Sequence, residues 1–222
     1  MALIGIIFSI DLSFFNNYTN KFIGKALLFF GLGLFGQLFG QIFYAYYILV
    51  KDIQIPYPSL GDIGYVSTVP FYMVGLFFLA RSLGINLKKH SYYKIINSFI
   101  FPIIILSVTY IHLLSDYNFH WHNLGRILLD FFYPLGQALY ISISMTILSL
   151  SRGVFGDMKN RIRFIIIALF TQYLADYIFI YQAHKGNWVN GGINDYIYYL
   201  SYFFMTLAIM QFYRPSQNRN LQ

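Results

Sequence analysis

The 222-residue chain is 58% hydrophobic and only 10% charged, with a formal net charge of +7 and no cysteine. A soluble domain carries roughly a quarter charged residues, so lipid must solvate most of this chain, and no disulfide, thiolate nucleophile or cysteine-ligated metal is possible. All eight acidic residues are aspartate, and the surplus of positive charge marks cytoplasmic membrane loops rather than a nucleic-acid surface.

Residues 2–15 form the first apolar stretch. As a helix it spans about 21 Å and carries Asp11. It lacks a basic leader and a small-residue cleavage site, so it reads as a short, tilted or partly interfacial helix rather than a signal peptide. Six longer apolar stretches follow, at 24–50, 61–82, 92–114, 124–151, 163–184 and 191–213. Each has about 20 residues or more, enough to cross a hydrocarbon core of about 30 Å. They are too long and too continuously apolar for the alternating strands of a barrel, which leaves helices to satisfy the backbone in lipid. A polar tail, 214–222, closes the chain. The expected fold is all-α: one integral membrane domain over 1–222, a polytopic bundle of about seven transmembrane helices. No second domain is expected after the tail, which would make any output module a separate protein.

With seven spans, one set of connections holds Lys21, Lys25, Arg81, Lys88, Lys89, Lys94, Arg152, Lys159, Arg161, Arg163, Arg214 and Arg219; the other holds Lys51, Arg126 and Lys185. This positive-inside bias predicts an external N-terminus, a cytoplasmic C-terminus and a plasma (inner) membrane location. The sequon Asn17-Tyr18-Thr19 then faces the cytoplasm and is silent.

A helical hairpin recurs along the chain. Gln37 and Gln41 match Gln172 and Asp176, while Asp62 and Tyr65 match Asp195 and Tyr198; Asp130 and Tyr133 form a weaker middle copy. Asp-x-x-Tyr thus opens the third, fifth and seventh helices, giving one helix plus three hairpins of one orientation. Ser59-Leu60-Gly61-Asp62 fits a capping box, and Asn190 or Asn194 could cap the seventh helix. Asp62 and Asp195 therefore have helix capping as an alternative to ligand binding. Asp130 and Asp176 fall inside spans, where an ionisable residue is costly and faces the bundle interior or a wet cavity; interhelical hydrogen bonding is the alternative. Gln37, Gln41, Gln137, Gln172 and Asp176, with Tyr44, Tyr65, Tyr133 and Tyr198, are candidates to line one outward-facing polar and aromatic pocket. His120-Trp121-His122, with Asp116 and His112, is a much weaker candidate for a metal, and an interfacial Trp is the ordinary explanation. Trp188 reads likewise. Gly36-x-x-x-Gly40 suggests close helix approach.

The run Ile55-Pro56-Tyr57-Pro58-Ser59-Leu60-Gly61-Asp62-Ile63-Gly64-Tyr65, ahead of an apolar helix containing Pro70, resembles a motif of a family of prokaryotic multi-helix membrane domains. There a Pro-x-Pro-Ser-hydrophobic-small-Asp stretch follows a helix ending in aromatic residues, as Tyr44–Tyr47 do here. Such domains often precede diguanylate cyclase or sensor histidine kinase modules, so the resemblance implies a sensory role, with no catalytic residues to carry over.

Two other seven-helix classes are set aside. A retinal protein needs a Lys in its last helix, and 191–213 has none; a zinc amidohydrolase of the ceramidase type needs paired His within helices, and only His112 and His184 lie near spans. The leading expectation is a non-enzymatic sensory or ligand-binding module. It would need no cofactor or metal, and would use Asp62, Asp130, Asp176, Asp195, Gln41, Gln172, Tyr65, Tyr133 and Tyr198. Its partners would be the lipid bilayer, a small polar ligand and a separate signalling protein. A small transporter or proton-coupled carrier is the alternative. A membrane-embedded lipid enzyme is third, since no nucleophile–base pair or metal-ligand set stands out.

Overall fold

The computed structural model describes residues 1–14, 20–85, 92–114, 117, 123–151 and 156–213. The chain is helical: α1 (Ala2–Phe14), α2 (Lys21–Ala45) ending in a π-helical turn (Tyr46–Val50), α3 (Leu60–Ser82), α4 (Tyr92–Leu114), α5 (Leu124–Leu150), α6 (Gly156–Lys185) and α7 (Ile193–Met210). Among the described residues, four of these are long and apolar enough to cross a membrane: 21–50, 60–82, 124–150 and 158–185. The sequon at Asn17, the His120-Trp121-His122 cluster with Asp116, and the tail 214–222 lie outside the described residues.

The helices pack in a ring, α1–α2–α3–α5–α6–α7 and back to α1, with α4 laid against α5. The tightest joint is α2 on α3, and glycine makes it possible. A Cβ on Gly64 would collide with the Gly36 carbonyl and lie 2.9 Å from the Gly40 nitrogen, so the two backbones touch directly. At Gly40 a Cβ would lie 2.5 Å from the Tyr65 ring; the missing side chain is the slot that ring occupies. In lipid, where apolar burial drives helices together only weakly, such close approach supplies the dispersion contact that holds a pair.

Several boundaries differ from the sequence expectation: α2 begins at Lys21 rather than 24 and α7 runs Ile193–Met210 rather than 191–213, and two differences are larger. Helix α6 begins at Gly156, seven residues before 163. The added stretch is polar, and one of its side chains, Arg161, reaches back so that its guanidinium lies 4.8 Å from the Phe212 ring. Hydropathy marks where a helix is apolar, and a helix continues past that point when its polar turns find partners. Helix α2 does not run as α-helix to residue 50: its last five residues widen into a π turn, with Lys51 N–H donating to the Tyr46 carbonyl at 3.1 Å. The 51–59 connection leaves from there. It reaches α3 at Ser59, where the predicted capping box forms: the Asp62 carboxylate accepts the Ser59 backbone N–H at 2.6 Å and its hydroxyl at 3.0 Å.

Candidate functional site

Helices α3, α5 and α7 start at the same end of the ring at which α2 and α6 finish, and the candidate carboxylates gather towards that end. They do so as three separate polar groups, not one.

The first is centred on Asp176 of α6, which is buried. One carboxylate oxygen accepts from the Gln137 and Gln172 amides, the latter at 3.0 Å, and the other accepts from the Tyr198 hydroxyl. The Gln172 carbonyl oxygen in turn accepts from Ser201 at 2.7 Å. This single side chain therefore ties α5, α6 and α7 together. Beside it, Tyr198 stacks on Tyr65 at 6.3 Å and on Tyr202 at 6.4 Å. Tyr202 donates to the Gln37 carbonyl at 3.1 Å, and Gln41 donates to Tyr202 at 3.3 Å, which brings α2 into the same polar layer. The helix-turn spacing of Gln37 with Gln41, and of Gln172 with Asp176, puts each pair on one inward face.

The second group is centred on Asp62. Besides the two bonds from Ser59 it accepts from Tyr133 of α5 at 3.2 Å. Capping and an interhelical bond are thus satisfied by the same carboxylate. The third is centred on Asp130, also buried. It accepts from Tyr57 at 2.8 Å and from Tyr117 at 2.7 Å, and the Arg126 guanidinium approaches it at 3.8 Å, one turn earlier on α5. Both phenols come from connections rather than helices. Burial, and then the adjacent Asp130 carboxylate, pushes the Tyr57 phenol up from its ordinary range, which keeps it a donor.

Asp195 stands apart. It is half-buried and accepts the Gly191 backbone N–H at 2.6 Å, so its bond serves the start of α7.

Tyr57 is also a wall. A cavity of about 420 Å³ opens between the 51–59 and 186–192 connections, lined by Gln54, Ile55, Tyr57, Phe179, Trp188 and Asn190 among others. Its rings stand nearly at right angles: Tyr57 to Phe179 at 84° and 5.4 Å, Phe179 to Trp188 at 81° and 5.8 Å. On the far side of Trp188 a shallower groove of about 230 Å³ is lined by Gln41, Tyr44 and Asp195, and it shares Ile55, Trp188 and Asn190 with the cavity. The two openings thus divide the predicted residues. Gln41 and Asp195 line the groove, while Asp62, Asp176, Gln172, Tyr133 and Tyr198 are buried beneath. Asp130 sits behind Tyr57.

No family model, curated protein or solved structure matches the chain significantly.

Among the described residues no cluster of three or more His, Asp or Glu side chains is placed to hold a metal. Among the described residues, the Gln37 amide nitrogen, the Tyr65 and Tyr140 hydroxyls, the Trp188 indole nitrogen and both side-chain polar atoms of Asn194 are buried without a hydrogen-bond partner. Sequence reasoning did not single out Tyr57, Tyr117, Ser201 or Tyr202. Tyr57 carried a signal, since it lies inside the Pro-x-Pro-Ser motif. Tyr202 carried a weaker one: it falls one helical turn after Tyr198.

Proposed function

We propose that the chain is a non-enzymatic integral membrane module that binds a small molecule in the Tyr57 cavity and passes occupancy to the buried polar layer as a change in helix packing. One observation carries this: Tyr57 is at once a cavity wall and a hydrogen-bond donor to the buried Asp130 of α5. A ligand that shifts the ring must stretch or release that bond. Losing one of its two phenol donors destabilises a buried carboxylate that keeps only Tyr117 and the nearby Arg126, so α5 has reason to move. The cavity lies within the 300–1,000 Å³ range of ordinary ligand pockets.

Seven crossings, an external N-terminus and a cytoplasmic C-terminus in the plasma membrane complete the proposal. The support is the distribution of Lys and Arg across the connections. The cavity then faces the exterior, and a separate signalling protein would read the cytoplasmic side. The resemblance of the 55–65 run to sensory membrane domains agrees with this.

The test is hydrogen exchange on the purified protein in maltoside micelles, scanned against a library of water-soluble small molecules. A compound that binds at the cavity should slow exchange of the α5 amides around Asp130 and of the α6 amides around Asp176. A library that gives no saturable response, or a compound bound at the cavity without any change in α5, refutes the proposal.

A further inference from the structure

The chemistry of the cavity wall narrows its occupant, granted the ligand-binding role proposed above. We infer that it takes an organic cation, of the quaternary or alkylated ammonium kind, rather than a neutral or anionic molecule.

Three rings, those of Tyr57, Phe179 and Trp188, line one cavity, with the Phe179 plane nearly perpendicular to each of the other two. Edge-to-face contacts of this kind leave ring faces turned in more than one direction, as a flat stack cannot. The face of an aromatic ring carries the negative lobe of its quadrupole, and a soft, weakly hydrated cation is drawn to it. The Tyr57 ring is enriched further, because its hydroxyl donates to a carboxylate at 2.8 Å and so gains electron density. That ring already holds one cation: the Arg126 guanidinium lies 5.6 Å from its centroid and is itself paired with Asp130.

The surroundings have the same sign. Among the described residues this end of the bundle holds five aspartates, Asp52, Asp62, Asp130, Asp176 and Asp195, against Lys51, Arg126 and Lys185. The opposite end carries the basic excess. The residues lining the cavity include no Lys, Arg or His to meet an anion, while Gln54 and Asn190 offer amide oxygens to polar substituents. The formal charge of this end favours the approach of a cation over that of an anion.

The experiment compares three probes of similar size: acetylcholine, its neutral carbon isostere 3,3-dimethylbutyl acetate, and the anion 3,3-dimethylbutyrate. Trp188 reports binding by its emission in a Trp121→Phe background, where it is the sole tryptophan, and calorimetry checks the result. The cation should bind about tenfold or more tightly than the isostere, with the anion weakest. Phe179→Leu, which keeps a branched apolar side chain and removes a ring, should weaken the cation about fivefold and leave the isostere within about twofold. If the isostere or the anion binds as tightly as the cation, the inference fails while the pocket remains a ligand site. If no probe gives a saturable response and the wider library gives none either, the inference and the binding role fall together.

Discussion

Replacement of Asp176 tests the polar layer most directly. In Asp176→Leu the Gln137 and Gln172 amides and the Tyr198 hydroxyl lose their acceptor at once. Interhelical hydrogen bonds in membrane bundles average about 0.6 kcal/mol each and reach about 1.7. Three orphaned donors bring the loss to about 2–5 kcal/mol, with the upper part favoured because these groups are fully enclosed. Asp176→Asn behaves differently. Its amide oxygen can face the two glutamines, and its NH2 can donate to the Tyr198 oxygen once that hydroxyl turns. The count of bonds survives, so the loss should stay below about 1 kcal/mol. The assay is reversible unfolding of the purified protein from maltoside micelles by titrated dodecyl sulfate, followed by far-ultraviolet circular dichroism. A double-mutant cycle with Gln137→Leu should show coupling of about 0.5 kcal/mol or more. Equal losses for Leu and Asn, within about 0.5 kcal/mol, would refute the claim that Asp176 is held by its donors.

Gly64→Ala should destabilise by about 1–3 kcal/mol in the same assay, because its methyl group would meet the Gly36 carbonyl rather than a movable side chain. Tyr57→Phe and Tyr117→Phe should each cost about 0.5–1.5 kcal/mol, the net worth of an ordinary hydrogen bond, by removing one donor from Asp130. Because the fold holds the Tyr57 phenol neutral, its contribution is complete below the ordinary phenol pKa of about 10 and fades as pH climbs towards the raised value. Wild type should therefore lose stability above about pH 10 more steeply than Tyr57→Phe, and parallel slopes would contradict the assignment. The chain has no cysteine, so single replacements label cleanly: Asn190→Cys should react with an impermeant maleimide added to intact cells, and Asn160→Cys only after permeabilisation.

Helix positions were legible because lipid imposes one rule on every spanning segment, a run of apolar residues closing its own backbone bonds. The capping box at Ser59 and Asp62 was legible for a similar reason: both partners lie within one turn of sequence. The inward faces of Gln37 with Gln41, and of Gln172 with Asp176, followed from helical spacing. What sequence could not give is which donor meets which acceptor. Asp130 draws its phenols from Tyr57 and Tyr117, seventy-three and thirteen residues away. Both are set by how the connections fold over the bundle end, which no periodicity encodes. The equivalence of Asp62 and Asp195 in the repeated hairpins is likewise partial: each serves the start of its own helix, but only Asp62 also reaches across to a tyrosine of α5.

The π turn at Tyr46–Val50 sets the aim of the strap that follows it. Each residue of helix turns the outgoing chain by about 100°. Deleting one residue from this turn would restore ordinary winding and swing the 51–59 segment around the axis, drawing Tyr57 off its carboxylate with every side chain in the pocket unchanged. The length of that turn, more than the identity of its residues, keeps the ring in register with α5.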